Sequence, residues 1–344
     1  MPFPRPSLTL ATAGHVDHGK TALVRALTGH DTDRLPEEKR RGMSIAPGFA
    51  PLQIPGAPPI SIVDVPGHER FVRHMVAGVS GVDGFLLCVA ADDGVMPQTR
   101  EHLLVLEMLG VQQGIVVITK TDRAGPAAAG RQARELLGDG VSVTEVCAPA
   151  GEGIPATAAA LRRLARQLVR RPSSGPSRLF VDRAFTVSGV GTVVTGTLWG
   201  ESLRVGATLR AEPGGRRVRI RGLQVHGGAR EVVQAGRVAV SLAGASVDDT
   251  PRGTCLVAAN ADVVATDVLH VRLDWRGADR GALRTRRRLQ MFLGTAEVPA
   301  RCRMHAARSI AVGETGMAEF QLQRPVAAHI GDRFVLRESA RTVG

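Results

Sequence analysis

The chain has no tyrosine, and only three of its 44 basic residues are lysines: Lys20, Lys39 and Lys120. A bias this strong toward arginine leaves lysine chiefly where a planar guanidinium cannot replace a compact ammonium. Cysteine is scarce as well. Cys88, Cys147, Cys255 and Cys302 are scattered, with no C-x-x-C pair. That excludes a disulfide framework or a cysteine zinc site and fits small buried hydrophobes in a reducing cytoplasm. No apolar run approaches the roughly 18 residues of a membrane span. The opening MPFPRPSLTL lacks the basic start and long apolar core of a signal peptide. A cytoplasmic location without a membrane partner is therefore expected. Repeats at solenoid spacing and low-complexity tracts are also missing.

A length of 344 residues suggests two or three domains, and a hydrophobic fraction of 44% is enough for sizeable cores. Charge is unevenly shared. Residues 1–172 carry 19 Lys+Arg against 17 Asp+Glu, and the remainder 25 against 15, so +10 of the net +12 lies in the second half. Such a surplus can meet a polyanion such as RNA, although the arginine bias would also raise it.

Through residue 171, apolar strand-like runs alternate with helix-like stretches. The runs are Leu8–Ala13, Ile60–Asp64, Phe85–Ala90, Ile115–Thr119 and Val141–Cys147. Helical stretches include Ala22–Leu27, His68–Val79, Gln98–Leu109 and Ile154–Arg171. This alternation predicts a parallel sheet with helices on both faces, with ligands at the carboxyl ends of the strands. A linker by composition, PSSGPS, precedes Arg178. Beyond it come short Val- and Thr-rich runs punctuated by glycine, an all-β pattern with a second break near Ala258–Thr266. The predicted architecture is an α/β domain over 1–172, then β-barrels over 178–262 and 265–344.

Residues 14–21 read GHVDHGKT, the complete pattern G-x-x-x-x-G-K-[ST]. A strand-like run precedes it and a helix-like one follows, the context in which successive amides form an anion cradle. Gly14, His15, Val16, Asp17, His18 and Gly19 supply the loop. Lys20 can reach the β- and γ-phosphates, and the Thr21 hydroxyl can ligate Mg²⁺. The loop alone does not separate ATP from GTP. A second strand runs into Asp64-Val-Pro-Gly67-His68, where Asp64 can hold Mg²⁺ directly or through water. The Gly67 amide can approach a γ-phosphate, and His68 stands where a water-orienting group is wanted.

A third strand ends in Thr119-Lys120-Thr121-Asp122. The Asp122 carboxylate can accept from guanine N1–H and the 2-amino group, a donor pair adenine lacks, so the nucleotide expected is GTP/GDP. The stem of Lys120 can lie over the base. Small residues at Cys147 and Ala148 let a backbone amide reach the guanine carbonyl.

GHVDHGKT, DVPGHERFVRHM, AADDGVMPQTREHL and TKTD together resemble the translational GTPases of the elongation factor Tu class. ALTGHDTDRLPEEKRRGMSI, FVDRAFTVSGVGTVVTGTLWG, FLGTAEVPARCRM and GDRFVLRESARTVG extend the resemblance specifically to selenocysteine-specific elongation factors. The resemblance implies a GTP- and Mg²⁺-dependent carrier of selenocysteinyl-tRNA to the ribosome. It implies that residues 41–45 close over the γ-phosphate, with the Ser44 hydroxyl on Mg²⁺ where the family has threonine. It also implies that His68 waits on the ribosome behind an apolar gate including Val16, so that intrinsic hydrolysis is slow. A selenolate pocket is implied in the second domain, at Asp182, Arg183 and Arg237. A selenol is ionised at neutral pH and a serine hydroxyl is not, so a cationic pocket separates them by charge.

The chain departs from the family at Ala46 and Pro47, at Cys147 in place of serine, and in a short Asp122–Cys147 interval that implies a trimmed helix. The family's winged-helix extension, which reads a messenger RNA hairpin, has no counterpart in these residues. That task then falls to domains outside this stretch or to another chain. Two alternatives remain open on sequence: a carrier of another tRNA, like the γ subunit of initiation factor 2, and a GTP-binding module without turnover.

Overall fold

The computed structural model describes residues 7–33, 35–41, 43–68, 71–168, 175–276, 281–304, 308–338 and 341–342. The first half of the linker, the end of the predicted helix Ile154–Arg171 and two residues after His68 lie outside these. The chain divides into two compact units, Met1–Pro172 and Ser173–Gly344.

In the first unit, strands β1 (Leu8–Ala13), β2 (Gly48–Leu52), β3 (Ile60–Asp64), β4 (Gly84–Ala90), β5 (Gly114–Thr119) and β6 (Ser142–Glu145) form one sheet, in the order β2-β3-β1-β4-β5-β6. All neighbours pair in parallel except β2, which runs antiparallel to β3 at the edge. The sheet is thus mixed, not purely parallel. The Gly48–Leu52 run escapes notice because Gly48 and Pro51 break its hydrophobic pattern, a composition tolerated on an edge. The central strands are near-continuous hydrophobics because both faces are covered. On one face Leu10, Ile62, Cys88 and Val117 pack with α1 (Lys20–Thr28) and α6 (Ile154–Gln167) through Leu23, Val24, Leu161 and Leu164. Helix α2 (Pro36–Arg41) lies in the loop before β2, while α3 (Val72–Val79), α4 (Pro97–Met108) and α5 (Ala127–Leu137) follow β3, β4 and β5. Helix α3 comes against the other face, where Gly78 lies beside Val63. The short interval after Asp122 still accommodates the 11 residues of α5.

The second unit is all β. Six strands between Arg178 and Ala258 close into a barrel, because strand Thr208–Glu212 pairs with both Arg216–Val225 and Cys255–Ala258. Strand Gly236–Ala243 alternates strictly, sending Val238, Val240 and Leu242 inward and Arg237 outward. A second sheet of six strands spans Val264–Thr342, accompanied by a two-stranded ribbon. Among the described residues it does not close on itself, so it is a half-barrel. Its core is built on Trp275, Phe320, Met291 and Leu336. Phe180, Val257, Val263 and Leu293 form an apolar seam joining the two β modules. Beside it, the buried Arg178–Asp332 pair (2.6 Å) stacks its guanidinium on Phe180 and Trp199.

Candidate nucleotide site and RNA-facing surface

At the carboxyl end of β1 the chain turns through Gly14 and enters α1 at Lys20. The turn requires glycine at its start. Gly14 has φ 129°, and a Cβ there would lie 2.2 Å from the Cys88 carbonyl oxygen. Lys20 is only 6% exposed. Its ammonium donates to the carbonyl oxygens of Gly14 (3.0 Å) and His15 (2.6 Å), and burial holds its pKa below the usual value. Across the loop, a Cβ on Gly67 would lie 2.2 Å from Lys20 Nζ and 2.7 Å from the Val16 amide. Only glycine lets β3's following turn approach this closely.

Asp64 is 1% exposed and lies at the centre of a hydroxyl cluster. Thr12 donates to Oδ1 (2.9 Å), while Thr21 (2.8 Å) and Thr32 (2.6 Å) donate to Oδ2. Ser44 Oγ lies 3.1 Å from Thr21 Oγ1 and donates to Asp33 Oδ1 (2.7 Å). Thr21, Ser44 and Asp64, predicted separately from three stretches, are thus brought together, with Asp33 beside them. This oxygen-only donor set is of the kind Mg²⁺ takes alongside substrate phosphates. A cavity of about 690 Å³ opens beside it, lined among others by Asp17, Lys20, Thr21, Asp33 and Ser44. Val16 and Gly67 also line it. His68, next along the chain, is not among the lining residues, and its ring lies 5.9 Å from that of Phe71.

Three imidazoles lie in or beside the loop, and two of them brace it. The Gly14 amide donates to His102 Nδ1 (3.2 Å), and His18 Nδ1 donates to the Cys88 carbonyl (3.4 Å). Burial lowers the pKa of His102 to about 3 and of His18 to about 4, and it lowers that of His15 as well. The loop is therefore lined by neutral rings, leaving Lys20 as the cation.

At the other end of the cleft, Thr119 Oγ1 donates to the His18 carbonyl (2.9 Å), tying β5 to the loop. Lys120, in left-handed backbone at φ 55°, approaches Asp92 (3.8 Å) and Asp93 (3.9 Å). Asp122 is exposed and accepts from the Cys147 thiol (3.4 Å). The Cys147 amide is bonded to the Glu152 carbonyl (3.2 Å), which makes Ala148 the candidate donor to a base.

On the barrel's outer face, Arg237 makes a two-pronged pair with Asp182 (2.6 and 2.9 Å), and Thr195 donates to the same carboxylate (2.8 Å). Arg183 is half-buried next along the strand, after a bulge. In the half-barrel, a cavity of about 950 Å³ is lined by Arg286, Arg288, Arg301 and Arg303. Arg288 and Arg301 stand directly opposite across an antiparallel pair. Sequence inspection did not single out Thr12, Thr32, Asp33, Glu38, His102 or this arginine cleft. Thr32, Asp33, Glu38, His102, Arg301 and Arg303 lie within stretches that carry the family resemblance, but only the fold assembles them.

A phosphate-loop motif, a buried oxygen cluster and the exposed carboxylate of Asp122, gathered at the strand ends of one α/β sheet, match a GTP-binding protein of the translation-factor class. Residues 5–167 match the family described as the elongation factor Tu GTP binding domain. The chain is 33% identical to elongation factor Tu 2 of Streptomyces avermitilis, over 99% of its own length and 95% of that protein. It is 39% identical to the selenocysteine-specific elongation factor of Desulfomicrobium baculatum, over 95% of its length and 53% of the relative. The crystal structure of a bacterial selenocysteine-specific elongation factor superimposes with a TM-score of 0.88 at 32% identity, covering 98% of this chain and 57% of that one. The chain belongs to the elongation factor Tu family of translational GTPases. It spans about half the length of those selenocysteine-specific relatives. No helix among the described residues is long and apolar enough to cross a membrane.

Proposed function

We propose that the chain binds GTP and Mg²⁺, carries selenocysteinyl-tRNA to the ribosome, and hydrolyses GTP to GDP and phosphate there. The observation that carries the nucleotide reading is the convergence of Thr21, Ser44 and Asp64 beside the buried Lys20. Lys20 would leave its two carbonyl partners for the β- and γ-phosphates, neutralising charge that spreads over the γ-oxygens. Mg²⁺ held by the Thr21 and Ser44 hydroxyls, with Asp64 behind them, would supply further charge neutralisation at the β- and γ-oxygens. The Gly67 amide would donate to the γ-phosphate. A water attacks the γ-phosphorus, the bond to the bridging oxygen breaks with that oxygen and its electron pair leaving on GDP, one water proton stays on the inorganic phosphate and the other is released to solvent. His68 would orient that water. Its position outside the cavity lining supports slow intrinsic turnover that quickens when ribosome contact swings the ring inward. Asp122 would read guanine, with Lys120 over the base and the Ala148 amide on its carbonyl oxygen.

For the cargo, the net +10 of the second unit and the arginine cleft support an RNA ligand. Opposed arginines such as Arg288 and Arg301 destabilise a bare sheet and are relieved by a phosphate between them. Arg237 and Arg183 would attract the selenolate, with Asp182 fixing the Arg237 fork. Reading of a messenger RNA hairpin would fall to another segment or chain. Single-turnover GTP hydrolysis with and without ribosomes tests the reading. Stimulation by ribosomes that is lost in His68→Ala is expected, and turnover indifferent to both would refute it.

A further inference from the structure

We propose that Glu38 is a positioning residue for Ser44, holding its hydroxyl at the site assigned above to Mg²⁺. The inference rests on that assignment. Glu38 is third in α2 and only 2% exposed, whereas its neighbour Glu37 faces solvent. Its two oxygens are used differently. Oε2 accepts the Leu35 amide (2.9 Å), reaching back over the helix start as the carboxylate of a capping box does. Oε1 accepts the amides of Ile45 (2.9 Å) and Ala46 (3.1 Å), the two residues after Ser44.

One carboxylate thus ties the beginning of α2 to the chain that carries Ser44. Inside that closed loop Ser44 reaches Asp33 and Thr21. The loop is fastened once more where His74 Nδ1, from α3, donates to the Ile45 carbonyl (2.7 Å). The departure at Ala46-Pro47 fits this device. Pro47 has no amide, so the run of donors that Glu38 satisfies ends at Ala46. A Cβ at Gly78 would lie 3.2 Å from Pro47 Cγ, so the ring lies close against α3. Glutamate is required because both oxygens must accept. A glutamine would turn an N–H₂ donor toward a backbone N–H.

The test uses the whole chain and measures binding of a non-hydrolysable GTP analogue and of GDP while Mg²⁺ is titrated. Glu38→Gln is expected to raise the Mg²⁺ needed for half-maximal analogue binding about tenfold, the scale of one lost charge-assisted hydrogen bond. GDP affinity should stay within about twofold, and Glu37→Gln should change neither. With Ser44→Ala already present, Glu38→Gln should add less than about twofold, because the two act on one contact. Glu38→Asp, one methylene too short to span both anchors, should reproduce the loss and serves if the glutamine variant does not fold. An unchanged Mg²⁺ requirement in Glu38→Gln, with Ser44→Ala raising it, overturns the inference alone. Equal weakening of GDP and analogue also overturns it, since that is a general loss of structure. Failure of the wild type to bind the analogue, or no effect of Ser44→Ala, overturns the nucleotide reading itself.

Discussion

At the phosphate end of the cleft, Lys20 and Asp64 are almost wholly buried, and hydroxyls or carbonyls occupy their polar atoms. At the base end Asp122 and Arg123 are exposed, and Lys120 stands off from Asp92 and Asp93 at ion-pair distance. Buried hydrogen bonds make the first end part of the fold's own stability, while exposed pairs at the second contribute little to it. Substitutions should therefore cost both stability and affinity at the phosphate end, and change only selectivity at the base end.

The largest effect should come from Asp122→Asn. Replacing the carboxylate exchanges its complement on the base, and the preference for GTP over xanthosine triphosphate should fall by on the order of 10⁴. Thermal stability should not move, and competition binding with a melting curve reads both. Lys20→Arg should weaken GTP by about a hundredfold, the equivalent of roughly 3 kcal/mol for a misplaced buried charge. The planar fork cannot occupy the slot between Gly14, His15 and Gly67, and equilibrium binding measures the loss. Asp64→Asn should cost about 2 kcal/mol of stability in denaturant unfolding before any nucleotide is added, because charge-assisted bonds to three hydroxyls weaken at once. If it alters Mg²⁺ binding and leaves stability intact, the contrast between the two ends is wrong.

A separate effect, absent at neutral pH, is acid sensitivity. His102 and His18 titrate at 6.5 when unfolded but only near 3 and 4 when folded. As pH falls from 6.5, the unfolded chain takes up protons that the folded chain refuses. Their contribution is thus intact above 6.5 and erodes by about 1.4 kcal/mol per pH unit for each ring until the folded pKa is reached. His102→Gln keeps an acceptor for the Gly14 amide and should flatten the profile between pH 6.5 and 4, as urea unfolding across that range would record.

Much of this was legible in sequence where short spacing fixes the geometry. β1 and β3 fall where their apolar runs place them, and GHVDHGKT, D-x-x-G and T-K-x-D lie together at the strand ends. The rest depends on contacts distant in sequence. Thr12 and Thr32 are ordinary threonines until the sheet carries them to Asp64, 52 and 32 residues away. Glu37 and Glu38 are indistinguishable as letters, and only the helix phase buries one of them. The half-barrel differs from the barrel in pairing at the sheet edges, which alternation along single strands does not encode. His68 is a motif residue that the fold does not place in the cavity lining.

We propose that nucleotide bound by the α/β unit controls a basic β unit that selects a charged aminoacyl group. The most direct test is binding of selenocysteinyl-tRNA and seryl-tRNA on the same tRNA body, each with a GTP analogue and with GDP. Tight binding is expected only for selenocysteinyl-tRNA with the GTP analogue, and it should be lost in Arg237→Ala. Equal affinities for the two aminoacyl groups, or affinities indifferent to the nucleotide, would contradict it.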